Sequence, residues 1–183
     1  SEAMLASCAA KLRNAGLDAP LFRQSIAELN LPFRYVAAFV AAGSLQLLTA
    51  RDALRDALAC LRAHLVEPAV LLLDLFVPEA AQHPPGAPVI EFRNVVLADG
   101  SQIMHRCETD ADAKRRRIQI ASRYERRQEG RIVERADETI AYTWHSEDEM
   151  LSHLRAAGYS SVRIEPPAWP RGDGRGYAVV AHA

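Results

Sequence analysis

YVAAFVAA, residues 35–42, is apolar at both alternating positions and stops at Gly43-Ser44. A strand with no wet face is what a parallel sheet covered by helices on both sides requires. Further on, VLLLDLFV at residues 70–77 is a second continuous apolar run, closed by Pro78. Between the two, Thr49 and Asp52 form a capping-box-like start, and Leu54, Leu58, Leu61 and Leu65 mark an apolar helix stripe as far as Val66. Strand, helix and strand in this order predict a parallel crossover and an α/β fold.

Outward from this core the pattern changes. After Pro84, Pro85 and Pro88, EFRNVVL and QIMHRCE flank an Asp99-Gly100 turn, a strong hairpin signal. A second hairpin surrounds Gly130, and before it Ile118, Ile120 and Tyr124 alternate with Gln119, Arg123 and Glu125, so one face is dry and the other wet. Residues 87–144 therefore read as an antiparallel insertion in a single domain spanning residues 1–183. Ser146 with Glu149 repeats the capping signature, Met150, Leu151 and Leu154 give the stripe, and Gly158 ends that helix. Val162 to Ile164 and Tyr177 to Ala181 read as closing strands. At the other end, Met4, Leu5, Cys8 and Leu12 have helical spacing up to Gly16, and Leu21 to Ile26 reads as a short strand.

The chain has 183 residues, 49% hydrophobic and 25% charged, which places it among globular domains. A formal net charge of -1 argues against nucleic acid and anionic membrane as partners, because phosphate binding needs surplus Lys and Arg. Cys8, Cys60 and Cys107 are odd in number and far apart, which fits neither a disulfide framework nor a zinc site. His105 and Cys107 are strand neighbours without a further ligand at metal spacing, so no metal is expected. No apolar run reaches the ~18 residues of a membrane span. With no secretion signal at Ser1, a cytoplasmic protein is expected.

Several pieces together resemble a class I S-adenosylmethionine-dependent methyltransferase, entered at the helix after the second strand. SEAMLASCAAKL looks like that helix. LFRQSIAELNLPFRYVAAFVAAGSLQLL is similar to the third strand, its loop and the fourth strand, HLVEPAVLLLDLF to the stretch ending in the fifth, and EDEMLSHLRAAGYSSVRIEP to the final helix and sixth strand. The resemblance spans the chain and implies a Rossmann-like, doubly wound, mostly parallel sheet. It also implies that the first strand, the glycine-rich loop and the ribose-binding acidic residue fall before Ser1. Glu67-Pro68-Ala69 departs from the family's usual Pro-Gly-Gly turn.

In open α/β sheets ligands sit beyond the carboxyl ends of the strands. By the resemblance, Gln24, Ser25 and Ile26 line the adenine pocket of S-adenosylmethionine, although Ser25 stands where many relatives have Asp. Ala42, Gly43 and Ser44 lie against its methionine part, where a small residue lets the backbone approach. The competing readings are a polar strand-to-loop transition and a plain turn. Tyr124, Tyr142 and Trp144 are substrate-wall candidates under the insertion, against core packing as the commoner role. His145 is the candidate general base. The glycine-rich stretch from Gly172 to Gly176 follows Pro170 and precedes a strand-like run, the wrong context for a cofactor loop. Basic runs at Lys114 to Arg117 and Arg126-Arg127 are flanked by Asp110, Asp112, Glu125 and Glu129, which reads as a solvated face.

The expectation is methyl transfer to a nitrogen or oxygen of a small molecule, with S-adenosylhomocysteine as product. In-line displacement relies on positioning, so no catalytic dyad need appear. A homodimer is compatible with this reading. The rival is a non-catalytic methyltransferase-like binding or assembly domain without the glycine-rich loop. An RNA-modifying enzyme would need a basic stripe that the charge balance does not provide.

Overall fold

The computed structural model describes residues 1–77, 88–167 and 176–183. The punctuation at Pro78, Pro84 and Pro85 and the glycine-rich residues 172–175 lie outside the described residues.

The chain opens with α1 (Glu2–Asn14), capped by Ser1, whose hydroxyl accepts the Met4 N–H at 3.3 Å. Its apolar spacing predicts a buried face, yet none of its residues is buried and Met4 is 73% exposed. No described element covers that stripe. The strand expected over Leu21 to Ile26 does not form. A strand needs a ladder neighbour, and here the Gln24 amide instead bonds the main chain of Asn30 in both directions, closing a loop (2.7 and 3.0 Å).

The strand–helix–strand core forms as read, with shifted bounds. β1 (Tyr35–Val40) pairs in parallel with β2 (Leu65–Phe76) in the register Val40 to Leu73. Between them α2 (Ala53–Ala63) stops three residues short of Val66, because Leu65 already pairs with Tyr35 in the sheet. Asp52, not Thr49, is its N-cap, and the Asp52 side chain caps nothing, pairing with Arg55 at 3.2 Å. Helices on both faces of β1 are not seen among the described residues, where Val36 and Phe39 are 73% and 59% exposed.

The sheet is completed by β7 (Ser160–Glu165) and β8 (Gly176–His182), in the order β1-β2-β8-β7. β8 is antiparallel to both neighbours, so β1, β2 and β7 share one direction but only one hydrogen-bonded pair is parallel. The sheet is therefore mixed where a mostly parallel one was expected. The connection over residues 166–175 is shorter than the dozen or more that a parallel crossover uses, so β8 returns antiparallel. Ahead of β7, α3 (Glu147–Ala156) carries the complete Ser146–Glu149 capping box.

The second sheet is an antiparallel meander of β3 (Val89–Val96), β4 (Gln102–Asp112), β5 (Arg117–Gln128) and β6 (Arg131–Thr143). Its turns fall at Gly100 and Gly130, both at positive φ, as the hairpin reading requires. Ile118, Ile120 and Tyr124 share one face with His105, Cys107 and Tyr142. The opposite face carries the ion pairs Arg106–Glu108 and Arg123–Asp137.

Leu54, Leu58 and Leu61 of α2 and Met150 and Leu154 of α3 pack in one cluster with Leu71, Leu73 and Leu75 of β2 and Val179 and Ala181 of β8. Each fully buried Leu contributes about 1.5–3 kcal/mol. This cluster sets where the strand ends point. No described helix is long and apolar enough to cross a membrane.

Candidate functional site

Where β1 leaves the sheet the backbone turns sharply. Ala42 and Gly43 both adopt left-handed conformations, φ 55° and 69°. For Ala42 this is strain of about 1–3 kcal/mol that surrounding contacts must hold in place. Asp74, buried in β2, does so: its Oδ2 accepts the Ala42 N–H at 2.9 Å, and its main-chain carbonyl accepts the Gly43 N–H at 3.0 Å. The Ser44 hydroxyl donates to the Ala41 carbonyl at 2.7 Å and opens a 3-10 turn, Ser44–Leu47.

Gln46 in that turn is 3% exposed. Its Oε1 accepts the Phe76 N–H at 2.9 Å, and its Nε2 donates to the Phe76 carbonyl at 2.8 Å and to the Thr143 carbonyl at 3.1 Å. The Phe76 ring lies against Gly43 and meets Tyr142 edge-on, centroids 5.7 Å apart. The carboxyl ends of β1 and β2 thus form a compact site of Ala42, Gly43, Ser44, Asp74, Phe76 and Tyr142. It lies where ligands of open α/β sheets bind. Sequence reasoning reached the first three and Tyr142 and missed Asp74, Gln46 and Phe76. The available signal was polarity: Asp74 interrupts VLLLDLFV and Gln46 interrupts SLQLL.

The other predicted residues are dispersed. Ser25 caps a 3-10 turn, Ile26–Glu28, and the Cys60 thiol of α2 donates to the Ala27 carbonyl at 3.1 Å. These contacts anchor Gln24, Ser25 and Ile26 along the flank of α2. No hydrogen bond among the described residues joins them to Ala42–Ser44. Trp144 is buried, and its main-chain N–H donates to the Arg116 carbonyl; burial, not an open pocket wall, is the place of its side chain. Tyr142 lies opposite Ile118, whereas Tyr124 is six residues further along β5 and stacks on His105 with centroids 4.3 Å apart. At ~3.3 Å per residue the two tyrosines stand roughly 20 Å apart, too far to line one small-molecule pocket together.

His145 opens onto a neighbouring cavity of about 430 Å³ lined by Leu48, Leu54, Arg115, Thr143 and His153. Burial, then the charges of His153 and Arg116, pull its pKa down to about 4. It is therefore neutral at pH 7 and a weak base. Its carbonyl accepts the Tyr177 hydroxyl at 2.9 Å. The basic runs are compensated: Arg115 pairs with Asp112, Arg116 with Glu149, Arg126 with Asp99, and Arg127 with Glu125. His105 bonds Ser122 Oγ at 3.0 Å, and Cys107 Sγ lies 3.8 Å from Thr109 Oγ1.

No protein-family model and no curated protein matches the chain. Solved structures do. An S-adenosylmethionine-dependent methyltransferase from Clostridium acetobutylicum superposes with a TM-score of 0.81 at 16% identity, over 100% of this chain and 72% of the other. The fold is that of S-adenosylmethionine-dependent methyltransferases. Two further structures with this methyltransferase fold are similar. An amino pentose methyltransferase from Micromonospora echinaspora gives a TM-score of 0.65 at 19% identity, over 87% of this chain and 63% of that one. A sugar N-methyltransferase from Streptoalloteichus gives 0.71 at 17%, over 92% and 64%. The chain thus spans less than two thirds of the length of these two methyltransferases.

Proposed function

We propose that the chain is part of an enzyme that transfers a methyl group from S-adenosylmethionine to a nitrogen or oxygen of a small molecule, leaving S-adenosylhomocysteine. The observation that carries this reading is the strained Ala42–Gly43 turn, held by Asp74 at the carboxyl end of β1 and covered at Gly43 by the Phe76 ring, which Tyr142 meets edge-on. Ala42 and Ser44 are exposed on either side of the buried Gly43, at the strand end where ligands of such sheets approach the backbone. The amino pentose and sugar N-methyltransferases of similar fold favour an amino sugar as the acceptor.

In this reading Ala42, Gly43 and Ser44 lie along the methionine part of the cofactor, and Gln24, Ser25 and Ile26 lie toward its adenine. When bound, the cofactor supplies an electrophilic methyl group. The chain's own part is to orient the acceptor so that its lone pair lies in line, which contributes more than any base. Tyr142 is the aromatic wall nearest that position. A neutral amine needs no base, and His145, uncharged at pH 7, accepts a proton where the acceptor carries one. The protein works in the cytoplasm, without nucleic acid or a membrane as partner.

A thermal shift with S-adenosylhomocysteine tests this. A ligand bound only by the native state adds about 2.7 kcal/mol at a hundredfold excess over Kd. At roughly 2–4 °C per kcal/mol for a chain of this size, the midpoint should rise by about 5–10 °C. A flat response in folded protein would sink the enzymatic reading for this chain. It would favour the second one, a methyltransferase-like assembly domain, which the exposed Val36 and Phe39 of β1 support. Sedimentation of the same sample tests the homodimer, expected at twice the monomer mass.

A further inference from the structure

The ladder of β1 on β2 ends at Val40 and Leu73, and apart from the Gly43 N–H on the Asp74 carbonyl the chain turns away through Ala42 and Gly43. The end of β2 would lose its partner on that side. The Gln46 side chain returns to fill the place, because its amide both accepts from and donates to the main chain of Phe76, as a peptide unit would. Its second donor reaches the Thr143 carbonyl at the last residue of β6. Thr143 answers with its hydroxyl, 3.3 Å from both the Gln46 and Leu48 carbonyls. One buried amide therefore ties the antiparallel sheet to the α/β sheet beside the candidate ligand site. It does so next to the Phe76 ring, which lies against Gly43, and next to Tyr142, which meets that ring edge-on.

We infer that Gln46 is a positioning residue that sets the height of the Phe76–Tyr142 wall over the Ala42–Gly43 turn and so determines which acceptor fits. The acceptor part rests on the methyl-transfer reading; the geometric part does not. An apolar side chain of equal length fills the volume but leaves the Phe76 N–H and two carbonyls without this partner, and buried polar groups do not tolerate that. Phe76 then drifts, and Gly43, whose backbone the ring covers, is uncovered. A glutamate keeps the acceptor but turns a carboxylate toward two carbonyls. Protonation returns one donor, so this substitution is repaired by acid.

The test is proton NMR of Gln46→Met and Gln46→Glu. It reads the ring-current shift of the Gly43 α-protons, the Phe76–Tyr142 ring contact and amide exchange at Phe76. In Gln46→Met the Gly43 shift should collapse and Phe76 exchange should quicken about tenfold, with Leu154 and Val179 unchanged. Gln46→Glu should behave likewise at pH 8 and recover at about pH 5, since a buried carboxyl without a cation holds its proton above the usual range. An unchanged Gly43 shift, or exchange quickened equally everywhere, would overturn the inference. If the Met variant does not fold, Gln46→Glu at low pH carries the same test. S-adenosylhomocysteine added to the native protein separates the two failures. No binding there removes the methyl-transfer reading, while the Gly43 and Phe76 signals still judge the role of Gln46.

Discussion

Substituting Gly43 by alanine tests whether the end of β1 is as tightly determined as its contacts imply. Gly43 has φ +69, and a Cβ there would stand 2.7 Å from Phe76 Cδ1 and 2.9 Å from Gln46 Oε1. Two penalties follow. A non-glycine residue in the left-handed region loses about 1–2 kcal/mol. Displacing a ring whose main chain is clamped adds an overpacking penalty of about 1–3 kcal/mol. The sum, about 2–5 kcal/mol, is a large part of the ~5–15 kcal/mol that holds an ordinary domain folded. Gly158 is the control: its φ is +85, but nothing lies within 4 Å of a Cβ placed there. Gly158→Ala carries the backbone penalty alone, so the difference between the variants isolates the contact with Phe76 and Gln46. With an m-value near 2 kcal/mol per molar urea, that difference should appear as a midpoint about 0.5–1.5 M lower for Gly43→Ala. Equal urea midpoints would refute the reasoning, because Phe76 would then yield freely and could not serve as a fixed wall.

Three further outcomes follow from named groups. His145 has its pKa lowered from 6.5 to about 4, first by burial, so between these values the unfolded chain binds the extra proton. Stability should fall as pH drops from about 6.5 to about 4, and His145→Gln should flatten that slope in urea melts at pH 7 and 4.5; an unchanged slope contradicts the assignment. Asp99 is held at about 2, chiefly by the Ser101 hydroxyl and N–H, so in Ser101→Ala the carboxyl should titrate at higher pH by carbon NMR. Ser146→Ala removes the hydroxyl of the capping box and should destabilise by about 1 kcal/mol in thermal melts, with no change showing that α3 is held by packing alone.

What was legible in the sequence was local. The two hairpins follow from Asp99-Gly100 and Gly130, where the turn needs positive φ, and the alternation beside them fixes the register. The cap of α3 follows from Ser146 and Glu149, which satisfy each other within four residues. The parallel pair follows from two apolar runs joined by a helix stripe. What failed depended on neighbours that composition does not specify. Leu21 to Ile26 has strand-like residues but no ladder partner among the described residues, and the apolar spacing of α1 says nothing of what covers it. The end of α2 was overrun because Leu65 suits a helix stripe and a strand equally; its pairing with Tyr35 decides.

At the candidate site the same division separates the glycine from the residues that explain it. Gly43 after an apolar run announces a turn at a strand end, and strand ends are where ligands go, so the turn could be read from the sequence. The reasons the turn is rigid reach across the crossover: Asp74, at 2.9 Å, lies 32 residues beyond Ala42, and Gln46 closes on Phe76, 30 residues beyond itself. Each was visible only as a polar residue inside an apolar run, a pattern that equally marks an edge or an error of assignment. Burial resolves it, because a polar side chain is kept in a core only when its hydrogen bonds are made there. Asp74 and Gln46 each use theirs to hold the backbone at the carboxyl end of β1 and β2. The polar choice fixes strand ends in one geometry, and such a fixed geometry suits the methyl transfer we propose.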